Sequence, residues 1–258
     1  MTMPIKLIST DFDGTLHAEH EDPPVPADLQ ALIAGLQAGG AKWVINTGRG
    51  LADLLETVAR ARLTISPDFV VVVEREIYRH EESQYVDLPE WNARCRRLHA
   101  EIFERVHRDL PRLTAWVNAR HQAMVYEDPH SPLCVIAHSN PEMDAIQAFL
   151  EGYCQEVPGL AVMRNDVYAR FNHHEFNKGT ALAEIARRLG VRPEETLAAG
   201  DHLNDLAMLS RDVAHCLVAP LNAVPQVKAA VLGQQGYVSH QPWGHGVARG
   251  VEHYLAKG

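Results

Sequence analysis

The sequence predicts an α/β protein: a doubly wound, mainly parallel sheet with a smaller α+β unit inserted into it. Three observations carry this expectation. Short, continuously apolar runs alternate with segments of helical periodicity, as in a parallel sheet covered on both faces. That rhythm stops near residue 83 and resumes at Asn177. Polar clusters rich in Asp follow the ends of the apolar runs, where doubly wound sheets bind ligands.

Residues 5–10 (IKLIST) read as a short buried strand. Ala27 to Gly39 follows as a helix, with Leu29, Leu32, Ile33 and Leu36 at helical spacing and Gly39 as its stop signal. Lys42 to Asn46 (KWVIN) is a second strand ending at Thr47-Gly48-Arg49, Leu51 to Arg62 a helix, and Phe69 to Val73 (FVVVV) a third strand. Tyr85 to Leu110 reads as a helix rich in Arg, His and Trp, and residues 114–126 and 133–138 as half-buried strands. Pro141 to Val157 is a helix with Met143, Ile146 and Phe149 among its apolar positions. Leu160–Arg164 and Val167–Phe171 form two strands joined at Asn165-Asp166, a hairpin turn. This order predicts a separate unit at 83–172 between core segments 1–82 and 173–258, with crossings near 80–86 and 172–176 serving as hinges. The first rhythm returns in NKGTALAEIARRLG, a helix with Leu182, Ile185, Ala186 and Leu189 on one face and Gly190 past its end. Thr196 to Ala199 is a short strand leading into GDHLNDLAML, and Val213 to Val218 a fifth strand; helical or turn segments run on to His253.

Hydrophobic residues make up 46 % and charged residues 22 % of the 258, ordinary values for a water-soluble globular chain with a real core. A formal charge of −9 counts against a binder of nucleic acid, but not against a small anion held by a few local cations. Four widely spaced cysteines, Cys95, Cys134, Cys154 and Cys216, form no CxxC pair, so a structural zinc site is not expected and a reduced, cytoplasmic setting is. No apolar run reaches membrane-spanning length, no membrane partner is expected, and Asp11 comes too soon after Lys6 for a signal peptide. Oligomeric state is not legible.

The stretch STDFDGTLHA, residues 9–18, leaves a buried strand and at once places two carboxylates two residues apart. In an extended segment Asp11 and Asp13 point the same way and repel each other, so other parts of the chain must bring positive charge. Thr47-Gly48 follows the second strand, Asp201 with Asn204 and Asp205 follows the fourth, and Lys178 opens a helix. With the first strand beside the fourth, Asp11, Asp13 and Asp201 converge. Three carboxylates in one crevice need a cation, and oxygen ligands without Cys or His favour Mg2+. Lys178, the Thr47 hydroxyl and close approach at Gly48 complete an anion site suited to phosphate. A carboxylate there can attack phosphorus, giving an aspartyl-phosphate, while a second handles protons. Structural readings compete: Lys178 as a surface residue at a helix start, Thr47-Gly48 as a plain turn. His173-His174 reads as a solvent-facing or hinge pair rather than a metal pair. Arg94, Arg96 and Arg97, with Glu101 and Glu104, read as a solvated helix face, and Trp91 and Trp116 as core of the insertion.

In order and spacing, DFDGTL, NTGR, NKGTAL and GDHLNDLAML resemble the four motifs of the haloacid dehalogenase (HAD) superfamily of phosphohydrolases. An insertion between the second and third motifs resembles the Cof-type, class IIB branch with its α/β cap. The resemblance spans the whole chain and implies a Rossmann-like catalytic core, with 83–172 as a substrate-selecting cap. It implies Asp11 as nucleophile, and Asp13 as the acid that protonates the leaving oxygen and then the base that activates water. Mg2+ would be held by the Asp11 side chain, the Asp13 backbone carbonyl and Asp201. Thr47, Gly48 and Lys178 would meet the phosphoryl oxygens; Asn204 would reach the phosphate or a metal-bound water, and Asp205 would orient Lys178. One departure stands out: family members often carry Asn-Gly after the third strand, where this chain has Glu74 and Arg75.

The expected function is Mg2+-dependent hydrolysis of a small phosphate monoester, a sugar phosphate or similar metabolite, because a cap of about ninety residues closing over the site excludes macromolecules. A phosphomannomutase-like phosphoryl transfer on the same scaffold is the alternative. A phospho-accepting signalling receiver is a third class, against which the length and the insertion count. Phosphatase is favoured as the common activity of Cof-like chains.

Overall fold

The computed structural model describes residues 4–257. It divides into two compact units, one made of the chain up to Leu88 together with the chain from Asn177 onward, the other of Pro89–Phe176.

The first unit opens with β1 (Leu7–Thr10), all four residues buried, then α1 (Ala27–Ala38), β2 (Lys42–Asn46), α2 (Leu51–Arg60) and β3 (Phe69–Val72). A hairpin follows, β4 (Glu76–Glu81) and β5 (Gln84–Asp87), turning at Glu82 with φ 54°. The sequence reading missed this hairpin and took Tyr85 as the start of a helix; in the structure Tyr85 pairs with His80 across the ladder. Because β4 pairs with β3, the hairpin belongs to the core sheet, and the division falls at Leu88/Pro89 rather than at 82/83.

The inserted unit comprises α3 (Pro89–His107), α4 (Leu110–Arg120), β6 (Met124–Asp128), β7 (Ser131–Ile136), α5 (Asn140–Cys154), β8 (Leu160–Asn165) and β9 (Tyr168–His173). Its antiparallel sheet has the order β6-β7-β9-β8. Residues 114–126 are therefore not one strand: the helix runs to Arg120 because Leu113 and Val117, four apart, are both fully buried, a helical and not an alternating pattern. Trp116 stacks on Phe149 with ring centres 3.8 Å apart, and Trp91 meets the Phe176 ring edge-on. Arg94 pairs with Glu175 and Arg97 with Glu101. His173 is not solvent-facing: it ends β9, buried, and only His174 is exposed.

The chain returns to the first unit with α6 (Lys178–Leu189), β10 (Thr196–Ala199), β11 (Cys216–Ala219), α7 (Pro225–Gly233), β12 (Tyr237–Val238) and α8 (Trp243–Ala256). The sheet order is β12-β11-β10-β1-β2-β3-β4-β5, parallel from β12 to β3. Thr10 stands level with Ile45 of β2 and Ala199 of β10, so the segments that leave these three strands gather at one end of the sheet. Chain order reverses between β1 and β10, which opens a crevice there. Ile8, Phe12, Trp43, Ile45, Leu197, Val218 and Val247 form the heart of this unit's apolar core; Leu113, Leu133, Val135, Met143, Ile146 and Phe171 form that of the other. Each such side chain contributes on the order of 1.5–3 kcal/mol on burial. No helix among the described residues is long and apolar enough to cross a membrane.

Candidate active site

Asp11 stands one residue past β1, its N–H donating to Ala199 O at 2.9 Å, which ties the segment to β10. Its Oδ1 accepts from Lys178 Nζ at 2.5 Å, and Lys178 Nζ donates again to Asp205 Oδ1 at 2.6 Å. Lys178 is only 1 % exposed, Asp205 fully buried and Asp11 7 % exposed, so the ammonium lies between two carboxylates out of water.

Lys178 is placed there by the start of α6. Asn177 caps the helix, its Oδ1 accepting from the N–H groups of Gly179 and Thr180, and Asn46 Nδ2 donates to Lys178 O at 2.9 Å. Gly179 lets α6 press on the following turn, since a Cβ there would lie 2.1 Å from Ala207 O. Asp205 Oδ2 accepts from the backbone N–H groups of Asp201 and His202 at 2.9 and 3.0 Å. Both Asp205 oxygens are thus engaged, one with the lysine and one with its own turn. Asp201 Oδ1 accepts from Thr15 Oγ1 at 2.7 Å. Gly14 is required twice over: its φ is 77°, and a Cβ would lie 2.6 Å from Asp201 Oδ2.

Asp11, Asp201 and Asp205 bring one carboxylate oxygen each within 4.8 Å of one another. Burial and then the Asp205 charge push the Asp11 pKa up, against the pull of Lys178. Burial and Asp205 likewise raise Asp201 to about 6, opposed by the Thr15 hydrogen bond. Burial works against the charge on Lys178, but Asp11 and Asp205, with Glu74 beyond them, more than offset it and hold its pKa above the ordinary lysine range. The crevice carries more negative charge than one ammonium neutralises.

Among the described residues the close carboxylate group is Asp11, Asp201 and Asp205, and Asp13 is not part of it. β1 ends at Thr10, so Asp13 stands three residues beyond the strand. The half-exposed Asp13 carboxylate instead forms a two-pronged pair with Arg49, Nε to Oδ2 at 2.7 Å and Nη2 to Oδ1 at 2.8 Å. Arg49 is held in turn by Asp53 at 3.0 Å and Thr57 at 3.0 Å, one and two turns along α2. Sequence reasoning assigned no work to Arg49; the signal was present in the spacing of Arg49, Asp53 and Thr57. Thr47 is buried, with its Oγ1 accepting from Arg49 N at 3.1 Å. Asn204 Nδ2 donates to Glu74 Oε1 at 2.6 Å, and that oxygen lies against Gly48. Thr15 was also unforeseen, although it belongs to the DFDGT run.

Comparison with known proteins decides the family. Residues 4–255 match the profile of the family described as sucrose-6F-phosphate phosphohydrolase. The chain belongs to that family. It is a HAD-like, Cof-type phosphohydrolase, and so an enzyme of the phosphoric monoester hydrolase class. Phosphatase YwpJ of Bacillus subtilis (strain 168) is 26 % identical over 300 residues, covering 97 % of this chain and 100 % of that one. Among solved structures, the sucrose-phosphatase of Synechocystis sp. PCC6803, in complex with sucrose and phosphate, superposes with a TM-score of 0.72 at 18 % identity, covering 98 % of this chain and 99 % of that one. The HAD subclass IIB sugar phosphatase BT4131 gives 0.63 at 19 % identity, covering 97 % and 99 %. At these identities the structural likeness speaks for the fold.

Proposed function

We propose that this phosphohydrolase cleaves a small sugar phosphate, using Mg2+ and an aspartyl-phosphate on Asp11. The observation that carries the reading is the buried run Asp11–Lys178–Asp205 beside Asp201, where unneutralised negative charge meets a fixed ammonium. The donor set fits Mg2+: oxygens only, with two carboxylates whose ionisation burial and Asp205 disfavour and a cation would restore. Asp11, Asp201 and the Asp13 backbone carbonyl would hold it; Asp205, already engaged through both oxygens, supports Lys178 instead. When bound, Mg2+ neutralises phosphoryl charge, so that Asp11 can approach phosphorus.

An Asp11 oxygen bonds to phosphorus as the ester P–O bond breaks, and Asp13 passes a proton to the departing alkoxide. For this Asp13 must exchange its pairing with Arg49 for the substrate oxygen. Water then adds to phosphorus, the P–O bond to Asp11 breaks, Asp13 takes the water proton, and phosphate leaves. Lys178, the Thr47 hydroxyl, the Gly48 N–H and the Asn204 amide contact the phosphoryl oxygens. Residues 89–176 act as the cap that selects the alcohol half. A sugar as that half is supported by the family description and by the sugar phosphatases among the structural relatives. A net charge of −9 supports a small metabolite over nucleic acid or an anionic membrane surface as partner.

The test is phosphate release from sucrose 6F-phosphate, hexose phosphates, nucleotides and an aryl phosphate, with Mg2+, after chelation and after Mg2+ is restored. Release is expected to favour a sugar phosphate, to stop on chelation and to return with Mg2+. Asp11→Asn is expected to lower turnover by about a thousandfold or more. Full turnover in excess chelator, an active Asp11→Asn, or a preference for nucleotides would overturn the corresponding part.

A further inference from the structure

The loop after β3 is where the sequence departs from its family, and its backbone is unusual. Val73 and Glu74 both adopt left-handed conformations, φ 45° and 65°. Such angles are costly for a β-branched residue and uncommon for Glu. The loop is pinned there, with Val73 N donating to Arg49 O and Glu74 N to Thr47 O, both at 2.9 Å. Strain of this kind persists only where its surroundings over-determine it, and it collects at functional sites. Here its consequence is to bury the Glu74 side chain, 2 % exposed, against the phosphate-site loop. A Cβ on Gly48 would stand 3.3 Å from Glu74 Oε1, and that same oxygen receives Asn204 Nδ2 at 2.6 Å. Among the described residues the buried Asn204 Oδ1 has no hydrogen-bond donor, and the side-chain hydrogen bond that the amide makes is the one to Glu74.

We propose that Glu74 is a positioning residue for the hydrolysis: it takes one of the two Nδ2 hydrogens of Asn204, fixing the amide so that the second is presented to a phosphoryl oxygen. This rests on the reading of Asn204 as a phosphate contact. A glycine at 74 would relax the backbone and lose the acceptor, so the carboxylate is what the strained loop is built to deliver.

The experiment compares Glu74→Gly, Glu74→Gln, Asn204→Ala and the Glu74→Gly/Asn204→Ala double variant in the full chain. Glu74→Gly is expected to lower kcat about tenfold with KM changed less than about twofold. Its Tm should stay the same or rise, because the left-handed backbone is relieved. Glu74→Gln keeps an oxygen acceptor and should retain most of kcat. The double variant should be no slower than Asn204→Ala alone. Independently of turnover, the Asn204 side-chain amide proton pair, assigned by its loss in Asn204→Ala, should shift in NMR spectra of metal-free Glu74→Gly. A lowered Tm in Glu74→Gly, kcat near the parent value, Glu74→Gln as slow as Glu74→Gly, multiplying losses in the double variant, or unmoved Asn204 protons would each overturn the proposal. The parent protein releasing no phosphate would overturn the functional reading instead, and the NMR comparison would still decide the contact.

Discussion

Asp13 and Asp201 differ in their surroundings, and so in the work proposed for them. Asp13 is half-exposed and held by the Arg49 fork. Asp13→Asn is expected to cut turnover of an alkyl phosphate by roughly 10²–10⁴-fold, and of an aryl phosphate, whose leaving group needs no proton, at least about tenfold less. Equal losses on the two substrates would count against proton transfer by Asp13. Asp201 is fixed and its pKa lies near 6, raised by burial and by Asp205. In metal-free protein the folded state therefore binds the Asp201 proton more tightly than the unfolded state. The stability this lends is fully present below the unfolded pKa, near 4, and is lost as pH rises through about 6. The stability of the parent relative to Asp201→Asn is expected to fall by roughly 1–3 kcal/mol from pH 4 to pH 6.5 without metal, and to recover with Mg2+. Urea unfolding of both proteins across that range checks it; a difference independent of pH would refute it.

At the level of elements, α6 shows how a helix start places the ammonium proposed to meet the phosphoryl group. The stop at Gly190, which adopts φ 65°, is legible as local chemistry in NKGTALAEIARRLG, and the structure adds the cap at Asn177. That Gly179 must lack a side chain is not legible, because the reason is the Ala207 carbonyl nearly thirty residues on. Gly179→Ala should therefore destabilise by about 2–4 kcal/mol even though Ala is the better helix former by about 1 kcal/mol. Turnover should fall with it, since Lys178 is the neighbouring residue; denaturant midpoints and kcat read the two effects. A Gly179→Ala variant as stable as the parent would show that α6 can lift without cost. The misreading of residues 114–126 has the opposite origin: Thr, Trp, Val and Tyr there have strand propensity, and burial of Leu113 and Val117 against the sheet of the insertion overrode it.

For the whole molecule, each unit has its own apolar core, and the insertion is one continuous stretch of chain. Pro89–Phe176 expressed alone is expected to unfold cooperatively on heating. The remainder, closed by a short flexible linker, is expected to keep native-like circular dichroism and measurable aryl phosphate hydrolysis while losing discrimination among sugar phosphates, because every group assigned to the chemistry lies outside the insertion. A well-folded remainder with undiminished preference for one sugar phosphate would remove the insertion from substrate selection.

Local sequence determined what local physics can decide. The alternation of buried runs and amphipathic segments set the fold class, and the four polar motifs marked which residues stand at strand and helix ends. Only tertiary structure decided which of those groups meet. Asp11 joins Lys178 and Asp205 because β1 lies between β10 and β2 and α6 packs at Gly179. Asp13 meets Arg49, 36 positions away, because β1 and β2 are neighbours in the sheet. Glu74 reaches Asn204, 130 positions away in the chain, through a backbone that Arg49 and Thr47 hold against its preference. Contacts so distant in sequence depend on strand order and packing, which no local pattern of residue types encodes.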